Sequence, residues 1–266
     1  MTTAEPAAPP AVVPCAGVPI TACTPRQAVR TVLRLAADPA RAGLPGSDVH
    51  LCNAYTLALA DTDTVLHGLL RNAALNLPDG QGVVWANRLV HRGCDLPAQR
   101  VYGPDLFLGV LDAGQASGVR HYLLGGTPQA LAALQAEIAR RFPGALVVGA
   151  ESPPFRRLTE QERAAQRERI TASRAQVVWL GLGTPKQDRE AARLAAELPV
   201  VLVAVGAAFD FVSGSKPQAP PWMQNHGLEW LFRLCSEPRR LWRRVLWGHP
   251  RFVLAAARGA RNRTGR

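Results

Sequence analysis

Short, almost wholly apolar runs recur along the chain, at 49–54, 74–77, 119–124, 146–148, 176–182 and 200–205. They do not alternate apolar with polar residues, so a strand built from any of them must be buried on both faces. Between them lie stretches of helical periodicity, at 56–72, 82–90, 105–117, 128–142, 160–173 and 185–197. This alternation predicts an α/β fold: a Rossmann-like, mainly parallel sheet flanked by helices. With 266 residues, 47% of them hydrophobic, the chain can fill such a core.

The two ends differ from this middle. Residues 1–14, rich in Pro and Ala, read as a loose tail that lacks the basic and apolar regions of a secretory signal. Around Asp210 the pattern breaks into "AFDFVSGSKPQAPPWMQ", expected as a loop. Two helices follow, split near Pro238, the second amphipathic with Trp and Arg on different sides. The expected organisation is a tail at 1–14, an α/β core at 15–212 and a helical C-terminal appendage at 213–266. From Arg233 to the C-terminus there are ten arginines and one acid, so most of the net charge of +11 sits in the appendage. That asymmetry suggests a polyanionic partner, either an anionic membrane surface or nucleic acid. No run approaches the about 18 apolar residues of a membrane span. Five cysteines without a CxxC pair give little support to a disulfide framework or a zinc site and read as reduced, buried or idle thiols.

Chemistry is expected where strands end. Asp79 follows the run at 74–77, in a Pro-Asp-Gly turn. It either caps the helix that follows or presents a carboxylate at the carboxyl end of a strand. Asn53 closes the first strand and can cap a turn or bind a ligand. The loops "GGTPQ" at 125–129, "GLGTPKQD" at 181–188 and "GAAFDF" at 206–211 also follow strands. Loops after parallel strands gather at one edge, so these can converge. Gly125, Gly126 and Gly183 let the backbone approach a phosphate, and helix N-termini supply free N–H groups. Each Gly-Thr-Pro also fits an ordinary turn with Thr as N-cap and Pro at N1. Gln187 and Asp210 are the polar candidates there, and Arg100 can meet a phosphate or an acid.

Other motifs carry less. Gly181 and Gly183 lack the third glycine of a dinucleotide fingerprint, and no P-loop or nucleophile elbow is present. Asp61-Thr62-Asp63 lies in a helical pattern and reads as solvated acids rather than a metal pair; the six histidines show no ligand spacing, and no metal site or cofactor is expected.

Taken together, Asn53, "PDGQGVVWANRL" at 78–89, "RVYGPDL" at 100–106, "LLGG" at 123–126, "FPG" at 142–144, "GLGTPKQD" at 181–188, "VGAAFDFVSG" at 205–214 and "APPWMQNHGLEWLFRLCSEPRRLWRR" at 219–244 resemble the WecG/TagA/CpsF glycosyltransferase family. Each piece is weak and their order and spacing are specific. The resemblance implies an inverting, metal-independent hexosyltransferase of bacterial surface-polysaccharide synthesis. It would move sugar from a UDP-sugar donor to a polyprenyl-pyrophosphate-linked saccharide acceptor. Asp79 would be the base, with Arg100 near the departing UDP and Gln187 touching donor sugar or nucleotide. The chain departs from the family pattern at Leu51 (often Thr), Asp188 (Glu) and Gln218 (Arg), and its stretch from Asp79 to Arg100 is longer. These changes bear on the donor sugar more than on the reaction class.

A lipid-linked acceptor also explains the basic end. The expectation is a cytoplasmic protein, peripheral on the inner face of the bacterial membrane, docked by Arg239, Arg240, Arg243 and Arg244 with Trp242 and Trp247 as anchors. Oligomeric state, a homo-oligomer included, stays open. Two other classes compete: a basic nucleic-acid-binding protein, which a near-neutral body argues against, and a nicotinamide-dependent oxidoreductase, which the missing glycine argues against.

Overall fold

A computed structural model describes residues 10–38, 45–91 and 99–264. Residues 1–9 of the expected tail and Cys94 lie outside these. A hairpin comes first, β1 (Ala11–Cys15) against β2 (Val18–Ala22), then α1 (Pro25–Ala37). The first sheet unit is β3 (Ser47–Cys52), α2 (Ala54–Ala60), α3 (Thr64–Asn72), β4 (Leu75–Pro78) and α4 (Gln81–Val90). The chain continues through α5 (Gly103–Gly114), β5 (Arg120–Gly125), α6 (Pro128–Arg141), β6 (Leu146–Glu151) and α7 (Glu160–Ala172). Then come β7 (Val177–Gly181), α8 (Lys186–Glu197), β8 (Val201–Ala204) and α9 (Ala208–Val212). The appendage holds α10 (Pro221–Asn225), α11 (Glu229–Ser236) and α12 (Pro238–Thr264).

Six strands form one sheet in the order β4-β3-β8-β7-β5-β6, and every pairing is parallel. The apolar runs explain it: all four residues of β8 and the first four of β7 are buried, as strands covered on both faces require. On one face Trp179 of β7 meets Phe107 of α5 edge-on at 4.8 Å. On the other, Leu180 and Leu202 pack with Leu194 and Ile170 of the covering helices.

Four local expectations are corrected. The stretch 56–72 is two helices, because Asp61-Thr62-Asp63 turns the chain between them. Asp63 caps α3, accepting from Leu66 N at 3.0 Å, and pairs with Arg189. Asp61 holds Arg251 at 2.5 Å and Arg258 at 2.8 Å, both from α12. The two acids therefore tie elements together instead of pointing into solvent.

Second, β1 occupies part of the stretch read as tail. Its turn, Ala16-Gly17, has φ of 50 and 80, the both-positive pattern of a tight hairpin, and Val13, Cys15, Val18 and Ile20 are buried. Third, α1 lies outside the six expected helices. Its start is a capping box: Thr24 accepts from Gln27 N and the Gln27 side chain accepts from Thr24 N. Fourth, the expected loop after residue 207 contains the single turn α9, formed because Ala208 and Phe209 are buried, Phe209 beside Phe107 at 5.7 Å, and the short helix α10. The split at Pro238 separates α11 from α12, as expected.

Candidate active site

All six strands end at one edge, and the loops beyond their carboxyl ends share a cavity of about 1100 Å³. Asn53, Asp79, Gly126, Gly183 and Gln187 line it from the core, and Glu229, Arg233, Arg240 and Arg244 from the appendage. Among the described residues, no group of three or more His, Cys, Asp or Glu is placed to hold a metal ion.

Asp79 stands one residue past β4, its backbone N–H donating to Cys52 O at 3.0 Å. Its side chain does not cap α4, whose N-cap is Gly80 with no side-chain bond. Instead Oδ1 accepts from Gly103 N, the first residue of α5, at 3.1 Å. Asp79 thus caps a helix that begins 24 positions later, and the positive end of that helix faces the carboxylate. Oδ2 has no hydrogen-bond partner among the described residues.

Arg100 is more committed than expected. Its Nε donates to the Asp79 carbonyl at 2.5 Å, its Nη2 pairs with Glu229, and its guanidinium lies 4.0 Å from the Tyr102 ring centroid. Gln218 donates to Tyr102 Oη at 3.1 Å, and Tyr102 donates to Glu229 at 3.4 Å. Asp79, Arg100, Tyr102, Gln218 and Glu229 therefore form one polar chain from core to appendage. The glutamate was not foreseen; it is one of two acids, with Glu237, in residues 213–266.

The two Gly-Thr-Pro turns differ. In the first, Thr127 caps α6 and Pro128 sits at N1. In the second, α8 begins only at Lys186, and Gln187 does the holding: Oε1 accepts from Gly183 N at 3.0 Å and Nε2 donates to Thr184 Oγ1 and Ala204 O at 3.4 Å each. Gln187 thus shapes the loop as well as lining the cavity. Asn53 caps α2, accepting from Tyr55 N and Thr56 N at 3.0 and 3.1 Å. Asp210 pairs with Lys216 at 2.8 Å, and both line the cavity. Gly125 is not among the lining residues: a Cβ there would lie 2.6 Å from the Gly181 backbone, at φ 131. Its glycine is required by the approach of two strand ends.

The docking set divides. Arg239, Trp242, Arg243 and Trp247 are exposed. Arg240, also exposed, and Arg244 line the cavity; Arg240 pairs with Glu237 at 2.8 Å, and Arg244 lies 4.9 Å over the Tyr55 ring. Burial, together with the neighbouring Arg240 and Arg233, holds the Arg244 pKa below the usual arginine value. Three arginines with Glu237 beside them leave net positive charge at this wall, which favours an anion.

A model of the Glycosyl transferase WecG/TagA/CpsF family matches residues 13–266. The chain belongs to the WecG/TagA/CpsF glycosyltransferase family. The match runs from β1 into the end of the chain, so appendage and core are both family parts.

Asp188 is wholly buried. Asp188 Oδ1 lies 3.0 Å from His50 Nδ1, and His50 Nε2 lies 2.9 Å from Asp48 Oδ2. Sequence reading gave His50 no role, because its partners are 138 positions away and two positions away on one strand. Burial alone would lower its pKa; hydrogen bonds to both carboxylates, and their charges, raise it from 6.5 to about 9. Only the imidazolium donates from both ring nitrogens.

Two outcomes follow. Gly125→Ala forces a methyl into the Gly181 backbone and is expected to destabilise the fold by about 1–3 kcal/mol in urea unfolding. For His50, the folded pKa lies above the unfolded one. Its contribution is complete below about pH 6.5 and is lost as pH rises through about 9. Urea midpoints of the native chain are expected to fall across that window, and those of His50→Gln to stay flatter there.

Proposed function

We propose that this glycosyltransferase is inverting, takes a UDP-sugar as donor and a polyprenyl-pyrophosphate-linked saccharide as acceptor, and uses Asp79 as its base. The observation that carries the reading is the Asp79 carboxylate. One oxygen is pinned by Gly103 N–H and the other has no hydrogen-bond partner among the described residues, in a cavity with Lys186, Arg233, Arg240 and Arg244 on its walls. The acceptor hydroxyl oxygen attacks the anomeric carbon, and the bond from that carbon to the UDP oxygen breaks. The hydroxyl proton passes to Asp79 Oδ2. A single displacement inverts the anomeric centre. Charge grows on the departing diphosphate, and the basic wall is suited to receive it. Arg100, held by Glu229, serves this step by fixing the loop that carries Asp79.

The outer face of α12 supports peripheral binding to an anionic membrane. Trp242 is 46% exposed and Leu246 67%, and Arg239 and Arg243 flank them. No helix of the described residues is long and apolar enough to cross a membrane. Each arginine near such a surface contributes about 1 kcal/mol.

The first test is UDP release across a panel of UDP-sugars with a polyprenyl-pyrophosphoryl saccharide in detergent. Acceptor-dependent release is expected with one donor. Asp79→Asn keeps an acceptor for Gly103 N–H and loses the base, so release should drop about 10²–10⁴-fold without loss of folding. Release unchanged in Asp79→Asn would remove the aspartate from its role. The second test is sedimentation with vesicles. Binding to anionic vesicles should exceed binding to neutral vesicles and to duplex DNA. The double variant Arg239→Glu, Arg243→Glu should weaken it about tenfold or more. A preference for DNA would favour the nucleic-acid reading instead.

A further inference from the structure

Three ionisable groups in the core play no part in the reaction proposed above. His50 lies on β3, shortly before Asn53, and is wholly buried. Its Nδ1 faces Asp188 Oδ1 at 3.0 Å and its Nε2 faces Asp48 Oδ2 at 2.9 Å. At the same register β4 places Asn76 and β8 places Ala204, both uncharged. Asp188 directly follows Gln187 in the first turn of α8, and Lys186 and Gln187 of that turn line the cavity. On the other side, Asp48 Oδ1 accepts from Ala74 N at 3.0 Å, just before β4, the strand that leads to Asp79. Cys52, whose carbonyl receives the Asp79 N–H, feels both ends: burial first, then the charges of Asp188 and Asp79, push its thiol well above the usual range. His50 therefore joins the start of α8 to the two strands whose ends carry Asn53 and Asp79.

Stability alone does not call for such a group. A buried ion pair is often no better for stability than apolar side chains of the same volume, and Asp188 Oδ2 has no hydrogen-bond partner among the described residues. What an apolar contact lacks is direction. A hydrogen bond between charged groups fixes the distance and the angle between the parts it joins. The start of α8 lacks another such tie at its cap, because Pro185, its N-cap, makes no side-chain bond. Gly183 N–H and Gly183 O are both bonded to Gln187, so the loop and the first turn of α8 form one closed unit. Gln187 reaches β8 through a long bond to Ala204 O, at 3.4 Å. The bond from His50 to Asp188 is the shorter tie of that unit to the sheet. We propose that His50 is a positioning residue: through Asp188 it fixes the Gly183 loop and the first turn of α8, with the cavity-lining Lys186 and Gln187, against the strand ends that carry Asn53 and Asp79. That the ligand so served is a UDP-sugar rests on the reading above; the joint itself rests on the hydrogen bonds.

Two substitutions in the full chain separate direction from burial. The amide nitrogen of an asparagine falls near Nδ1 of the histidine it replaces, and that of a glutamine near Nε2. His50→Asn therefore keeps a donor toward Asp188 and loses the one toward Asp48, and His50→Gln does the reverse. Both lose the charge, and both should lower stability. In amide hydrogen exchange, Gly183 and Gln187 should exchange about tenfold faster in His50→Gln and stay within about threefold of the native chain in His50→Asn. UDP affinity by calorimetry should follow the same order, falling about tenfold in His50→Gln alone. The same contrast is expected from the other side, between Asp188→Asn, which keeps an acceptor for Nδ1, and Asp188→Ala, which keeps none, so the comparison survives a variant that fails to fold. Ile138→Val, buried on α6, also lowers stability and should move neither quantity. Equal exchange in the members of each pair, whether unchanged or raised, overturns the inference. The expected exchange pattern in a chain that does not bind UDP keeps the joint and removes the UDP reading. Full UDP affinity in every variant removes the joint's role and keeps that reading.

Discussion

Parallel pairing is the constraint on which the rest of this molecule depends. Strands that run the same way must end at the same edge, so residues far apart in sequence arrive together without any need to attract one another. Asn53, Asp79, Gly126 and Gly183 share a cavity for that reason alone. The closeness of the edge has a price in side chains. Where β5 and β7 finish, Gly125 and Gly181 pack backbone to backbone, and a Cβ on Gly181 would meet the Phe209 ring at 2.5 Å. The glycines that look like phosphate loops are in part the means by which the strand ends fit together.

On this edge the sheet supplies position and the appendage supplies charge. The body of the chain carries few unpaired cations near the site, and Arg100 is already held by Glu229 and the Asp79 carbonyl. The other cations that line the cavity are Lys186 at the start of α8, Lys216, and Arg233, Arg240 and Arg244 of α11 and α12; Lys216 and Arg240 both pair with Glu237. Keeping those helices in place falls to ion pairs at both ends of the packing: Glu229 to Arg100 beside the site, and Arg251 and Arg258 to Asp61 at the far side. Each pair is partly exposed and worth little alone. Leu241, Phe252 and Ala255 are buried beneath α12 and provide the apolar share.

The sheet was legible in the sequence because its central strands are buried on both faces and so are written as mostly apolar runs; the edge strand β6 has no buried residue and was marked only by its apolar start. The helices were legible by period, except where a local signal overruled it. At Asp61 and Asp63 the acids belong to a turn whose purpose is seen only when Arg189, Arg251 and Arg258 arrive from elsewhere. The hairpin and α1 were missed although their marks were present, a two-residue turn and a capping box. Of the site, the strand-end residues were readable, and the partners were not. Asp79 looked like a cap for α4 and caps α5; Gln187 looked like a ligand contact and braces a loop; Asp188 looked like a variation on a motif and meets His50 in the core. Spacing shows which side chains share an element, and these bonds join different elements.

The basic helix makes the same point about function. Arg239 and Arg243 are four positions apart, as are Arg240 and Arg244, and in sequence the four read as one docking surface. A step of one residue turns a helix by about 100°. The first pair therefore faces outward with Trp242, and the second lines the cavity, where Arg240, still exposed, pairs with Glu237 and Arg244 lies over Tyr55. One helix can hold an anionic surface on its outside and an anionic substrate on its inside. An enzyme whose acceptor stays in a bilayer needs both at once, since the charge that brings the protein to the lipid cannot be the charge that binds the lipid's phosphates. Under the proposed reaction, adjacent arginines on one helix would meet both needs with the fewest residues.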